Sequence, residues 1–231
     1  MIGGFIITGT QSKKVIVRAI APSLPIPGVL ADPNLELHDS TGQLLQTNDN
    51  WVDSPNKQEI LYSFPPTNDK ESAMVVTLAP GAYTAIVSGV NGTTGIAVVE
   101  VYDLNTAADS KLANISTRAP VQTGNNILIG GFIVLGQQPQ HVIVRALGPS
   151  LPFTGTLPDP TLELHDGNGA QFAANDNWRT DQEAEILATI PPQNDAESAI
   201  VATLQPGNYT AVVRGVNGTV GVGLIEVYHL P

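Results

Sequence analysis

The chain has 231 residues, 42% hydrophobic and 13% charged, with a formal net charge of −11 at pH 7. That is enough apolar material for two ordinary cores and too much for disorder, and no run approaches the ~20 apolar residues that span a bilayer. Cysteine is absent, which excludes disulfides and thiolate metal sites, while an acidic surface without a Lys/Arg cluster argues against nucleic acid and against a basic membrane-binding face.

The first predicted element is the opening "MIGGFIITG", followed by "KVIVRAI" (14–20), in which Arg18 interrupts an apolar strand. "DPNLELHD" (32–39) reads as the next strand and runs into the tight turn "DSTG". A loop "NDNW" (48–51) precedes the one predicted helix, "SPNKQEILYSF", with Ser54 as its cap. Then come "SAMVVTL", "AYTAIVSGV" and "GIAVVEVYDL", short runs rich in Val, Ile and Thr and bounded by Gly, Pro and Asn. "VNGT" between the last two is an Asn-Gly hairpin signal, because both turn residues must tolerate positive φ.

After residue 127 the list begins again. "VIVRAIAPSLP" (15–25) returns as "VIVRALGPSLP" (142–152), "DPNLELHD" as "DPTLELHD" (159–166), and "NDNW" as "NDNW" (175–178), at an offset of 127 residues. One deletion beyond Trp178 changes the offset to 126, which aligns "LAPGAYTAIVSGVNGTTG" with "LQPGNYTAVVRGVNGTVG" and "VEVYDL" with "IEVYHL". Thr180 caps the corresponding helix, "TDQEAEILAT". A period this long means whole domains rather than solenoid units. The predicted organisation is two tandem antiparallel β-sandwiches of jelly-roll or Greek-key type, residues 1–105 and 128–231, joined by a segment, 106–127.

The motif series "LELHD…G…NDNW…EI…P.ND.ESA…L.PG.YTA.V.GVNG..G…EVY.L", which covers nearly all of both copies, resembles the tandem β-sandwich repeats of large secreted and surface proteins of environmental bacteria. More distantly, "PGAYTAIVSG" is similar to the closing strand of pre-peptidase C-terminal domains. The resemblance implies an extracellular or cell-surface, non-catalytic module. It transfers no activity.

Arg18 and Arg145 need partners inside their strands, and Glu100 and Glu226, or Glu36 and Glu163, are the carboxylates that also interrupt apolar strands. His38-Asp39 and His165-Asp166 are not acid–base pairs, since adjacent strand residues point to opposite faces. With no nucleophile elbow, zinc-helix or phosphate-loop motif, the chain reads as a non-enzyme. Asp49, Asn50, Asp69 and Glu71, with Asp176, Asn177, Asp195 and Glu197, form the candidate oxygen set for Ca²⁺, should the loops converge; the same residue types also build turns unaided. No other cofactor is indicated. Trp51 and Trp178 are expected to pack beneath their loops, although a loop Trp is also what stacks on a glycan. Sequons begin at Asn91, Asn114, Asn208 and Asn217.

The second copy is preceded by "LANISTRAPVQTG", which alternates like a half-buried strand and is expected to pair with the strand beginning at Ile127. The first copy has no such lead-in, so an edge of that sandwich would stand open, unless residues upstream of Met1 or some other element cover it. Residues 1–105 carry 5 basic and 10 acidic side chains (−5) and residues 128–231 carry 3 and 10 (−7), whereas 106–127 carry Lys111 and Arg118 against Asp109 (+1). The expected partner is therefore another copy, joined head to tail into a fibre, with Leu112, Ala113, Ile115 and Arg118 at the interface. The alternative is a calcium-dependent carbohydrate-binding or adhesion module of a larger secreted protein.

Overall fold

Alternation of β-branched residues with small or polar ones produces strands throughout the computed structural model, which describes residues 1–231. The chain divides into two compact units, Met1–Ala113 and Asn114–Pro231. The first holds β1 (Ile2–Gly9), β2 (Lys13–Ile20), β3 (Pro33–Asp39), β4 (Leu44–Asn48), α1 (Lys57–Tyr62), β5 (Ser72–Leu78), β6 (Gly81–Gly89) and β7 (Val98–Asp103). β8 (Ser110–Val121) starts in the first unit and ends in the second. The second continues with β9 (Leu128–Val134), β10 (Gln140–Leu147), β11 (Pro160–His165), β12 (Gln171–Asn175), α2 (Glu183–Leu187), β13 (Ser198–Leu204), β14 (Gly207–Gly215) and β15 (Gly221–His229).

In the first unit β4-β3-β6-β1 form one antiparallel sheet and β5-β2-β7 the other. The pairings β2 with β7 and β3 with β6 nest one inside the other, as in Greek-key sandwiches. Period-2 alternation sends Phe5, Ile7, Leu35, Leu37, Ala85 and Val87 of one sheet against Val15, Val17, Ala19, Met74 and Leu78 of the other. The opposite face of the β2 sheet is also covered: Ile16, Ala73 and Val75 pack under Trp51 and Ile60 of α1. Because both faces of this sheet are buried, "KVIVRAI" and "SAMVVTL" are almost continuously apolar, whereas "LELHD" alternates.

The second unit repeats the plan. β12-β11-β14-β9 form one sheet, and β13-β10-β15 form the other, where residues 114–121 of β8 lie beside β15. Its inner core includes Val142, Val144, Leu162, Leu164, Val213 and Ile225, and Trp178 and Ile186 cover Ile143 on the outer face.

Three local expectations are corrected. "VNGT" is not a hairpin: β6 and β7 belong to different sheets, and Val90–Gly92 is a single 3₁₀ turn on the crossover, although Asn91 (φ 56°) and Gly92 (φ 72°) do take the left-handed conformation. Thr180 does not cap α2, whose first turn follows Gln182 without a side-chain cap, whereas the Ser54 hydroxyl accepts the Asn56 N–H at 3.3 Å just ahead of α1; tertiary burial of Ile60 and Ile186 holds these short helices. The lead-in strand does not pair with the strand after Ile127. β9 pairs with β14, and the partner of residues 114–121 is β15, from Asn114 opposite Tyr228 to Val121 opposite Gly221.

Candidate functional site

The charged side chains inside strands form cross-strand pairs. Arg18 lies directly opposite Glu100 on β7, and its Nε donates to Glu100 Oε2 at 2.9 Å. Arg145 likewise faces Glu226 on β15 and pairs with it through Nη2, while Nη1 donates to Ile190 O at 3.1 Å. Tyr102 and Tyr228 close these sites, each ring lying beneath a guanidinium and each hydroxyl donating to the same carboxylate. Glu36 and Glu163 play no part here. They accept from His38 Nε2 (3.0 Å) and His165 Nε2 (3.2 Å), two residues along their own strands.

The oxygen-rich loops are knitted inward. Glu71, fully buried, accepts from the backbone N–H groups of Ala21, Ser23 and Asn68 and from the Ser23 hydroxyl. Glu197 repeats this with Gly148, Ser150 and Asn194 at 2.6–3.2 Å. A carboxylate enclosed by four donors is satisfied as a hub for two loops and has no free face for an ion. Asn48 and Asn175 are buried amides that accept from the Ala73 and Ala199 N–H groups, and the Trp51 and Trp178 indoles donate to Asn68 O and Asn194 O. Asp195 pairs with Arg179 at 2.6 Å, and Asp69 is exposed. Asp49 sits near Asp32, and burial, then the Asp32 charge, pushes its carboxyl above the usual range. The two loops meet in each unit, Trp51 N–H donating to Glu71 O at 2.8 Å and Trp178 N–H to Glu197 O at 2.9 Å, but no group of three or more His, Asp or Glu side chains is arranged to hold a metal.

Lys13 escaped the sequence reading. It is fully buried, with Nζ donating to Asp103 at 2.8 Å and to Asn105 O at 2.7 Å. The second unit has Gln140 and His229 at these positions, 2.7 Å apart. That paired replacement between the copies was the available signal.

What remains unequal between the copies is strand coverage. In the second unit residues 114–121 lie against β15, with Ile115 and Ala119 on the core, Val121 buried in it, and Arg118 over the Phe153 ring at 5.3 Å. Ile225 and Val227 of β15 are consequently 2% and 7% exposed. β7, the counterpart in the first unit, is bonded only to β2. Val99 and Val101 there are half-buried, Val98 is 39% exposed and Ile96 37%. Conversely, β1 is hydrogen-bonded to β8, where Leu112 packs on the core of the first unit and Thr10 N–H donates to Asp109 O at 2.9 Å. Its counterpart β9 has a bare edge, and Ile129 and Ile133 are more than half exposed. Leu112, Ala113, Ile115 and Arg118 therefore lie on a strand bound within its own chain.

No protein-family model matches the chain, and neither does any curated protein. Among solved structures it is similar to the STIV MCP (12% identity, 98% of this chain and 91% of that one, TM-score 0.30). A structure of Sulfolobus Turreted Icosahedral Virus matches at 11% identity (100% and 88% covered, TM-score 0.29), and the PBCV-1 virus capsid at 9% (99% and 93% covered, TM-score 0.23). Scores and identities this low define neither a shared fold nor a shared role.

Proposed function

We propose that the chain is a non-catalytic structural subunit of an extracellular fibre, joined head to tail to further copies through its uncovered strand edges. One observation carries this reading: β7 and β9 are bare where their counterparts β15 and β1 are covered. An edge with unpaired backbone groups beside exposed Val and Ile is a pairing template. The two bare edges differ, one in the first repeat and one in the second, so a contact that joins them is heterologous and need not close. The buried state of Trp51 and Trp178 and the saturation of Glu71 and Glu197 weigh against the calcium and glycan alternative. The secreted-repeat resemblance of the "NDNW…ND.ES" series supports the extracellular setting. Light scattering and negative-stain microscopy over a concentration series test the proposal. Mass should rise with concentration and filaments should appear; a constant monomer mass with empty grids would end it.

A further inference from the structure

We infer that the groove between β12 and β13 of the second unit binds a linear organic dication, a diamine or polyamine whose alkyl chain lies along the groove with an ammonium group at each end. This site goes beyond the fibre reading and does not depend on it, since every residue concerned belongs to one unit.

β12 and β13 are end strands of the two sheets, and the groove opens between them at the side of the sandwich. It holds about 560 Å³, within the size range of small-ligand sites. The difference between the repeats accounts for it. Gln46, Thr47 and Val76 of the first repeat are replaced in the second by Ala173, Ala174 and Ala202, all three of them groove residues. Ala173 and Ala202 face the core, so the lost side-chain volume opens a slot beside the buried Ile200 and Leu204. The same surface gains polar and aromatic groups, with Phe172 for Leu45, Asp181 for Pro55, Gln182 for Asn56 and Gln205 for Ala79. Volume is removed from the floor while a ring, a carboxyl and longer amides are added around it.

Hydrogen bonds fix the two ends. At one, the Gln182 side chain clasps β13, Nε2 donating to Val201 O at 2.9 Å and Oε1 accepting from Val201 N–H at 3.1 Å, with Asp181 next to it in the chain. At the other, the Tyr209 hydroxyl donates to Gln205 O at 2.9 Å, Phe172 meets the Tyr209 ring edge-on at 5.9 Å, and Asp166 closes the turn ahead of β12. Val201 and Gln205 are four strand residues apart, a span of about 13 Å. The Ala170 and Asn168 N–H groups hold the Asp166 carboxyl below its usual range, so it is an anion near neutral pH. Asp181 is exposed, and no Lys, Arg or His side chain lines the groove. His165, adjacent to Asp166, is engaged elsewhere, with Glu163 and Gly169 O. Carboxylates without a cation repel anionic ligands and attract ammonium groups, the more so in a chain of net charge −11. The Phe172 and Tyr209 rings add faces that favour a cation, and the alanine methyl groups between the ends suit an alkyl chain.

Calorimetry and amide chemical shifts of the full-length chain test the site with ligands of one chain length, diaminooctane, octylamine, octanediol and octanoate, beside the glycan cellotetraose. One diaminooctane should bind per chain at submillimolar concentration, shifting Phe172, Asp181, Gln182 and Tyr209 and leaving the first unit unmoved. Octylamine should bind at least fivefold more weakly, because it engages one end only, and octanediol and octanoate should not bind below millimolar concentration. Asp181→Asn, a change at an exposed side chain, should reduce the diamine to the affinity of octylamine. Ala173→Gln with Ala202→Val, which restores the residues of the first repeat, should weaken diamine binding at least tenfold while the circular dichroism spectrum is kept. Absence of diamine binding at millimolar concentration overturns the inference, and so does a preference for octanoate or cellotetraose. Shifts spread over both acidic units, or binding undiminished by Asp181→Asn, would reveal general charge attraction and overturn it as well.

Discussion

Replacing Arg145 by Ala should destabilise the second unit by about 3–5 kcal/mol, the usual cost of leaving one partner of a buried pair alone. The Arg145 and Glu226 side chains are only 10% and 13% exposed, so water recovers little of the lost interaction. The substitution strands Glu226 with a single remaining donor, the Tyr228 hydroxyl at 3.1 Å, and frees the Ile190 carbonyl that Nη1 had satisfied. Loss of the guanidinium from the Tyr228 ring adds to the cost. Each unit contains one tryptophan, and both are buried, so urea unfolding of Arg145→Ala in a Trp51→Phe background, followed by fluorescence, reports Trp178 and the second unit alone. At a urea dependence of about 2 kcal/mol per molar, a loss of about 4 kcal/mol moves the midpoint down by about 2 M. Replacing both partners, as Arg145→Met with Glu226→Leu, should restore most of the loss, since an apolar pair has no desolvated charge. A midpoint that shifts by less than about 0.5 M in Arg145→Ala, or a double variant no better than the single, would refute the view of this pair as buried and mutually dependent.

Glu197→Gln should cost about 2–4 kcal/mol in the same assay, because its amide NH₂ must face donors that now meet a carboxylate; full stability would show that the loops hold without this hub. Lys13→Gln alone should strand Asp103 and lose about 3 kcal/mol, and adding Asp103→His should recover part of that loss by copying Gln140 with His229; additive losses would contradict the coupling. His38 should titrate above 6.5 by NMR, raised first by its hydrogen bond to Glu36 and then by that to Gly42 O. A raised folded value means this contribution is fully present below pH 6.5 and disappears as pH rises through the folded value; Glu36→Gln should return the midpoint toward 6.5. Asp39 and Asp166 should behave oppositely. The former is held low mainly by the Thr41 hydroxyl and N–H and the latter by the Ala170 and Asn168 N–H groups, so their contribution is present above pH 3.8 and is lost as pH falls through the lowered values; carboxyl chemical shifts that titrate at 3.8 would contradict it.

The sequence by itself determined the internal repeat, the β class and the local chemistry of the turns. Asn91, Gly92 and Gly42 adopt positive φ because only such residues do so at low cost, and the strand alternation that places Phe5 and Leu35 inward is a property of the backbone alone. It also marked Arg18, Glu100, Arg145 and Glu226 as charges in need of partners. It could not say which carboxylate each arginine meets, because that depends on β2 lying beside β7 and β10 beside β15, pairings between strands some 80 residues apart in the chain. The destination of the lead-in strand was hidden for the same reason: local pattern favours the next strand, β9, but the two-sheet wrapping carries β9 to β14 and leaves β15 as the neighbour. Glu71 and Glu197 looked like loop ligands in the sequence, since nothing local reveals that backbone donors from residues nearly 50 positions earlier close over them. Chain neighbours set the strands and turns; sheet packing alone decided which edges, carboxylates and cations are covered and which edge of β7 is left bare.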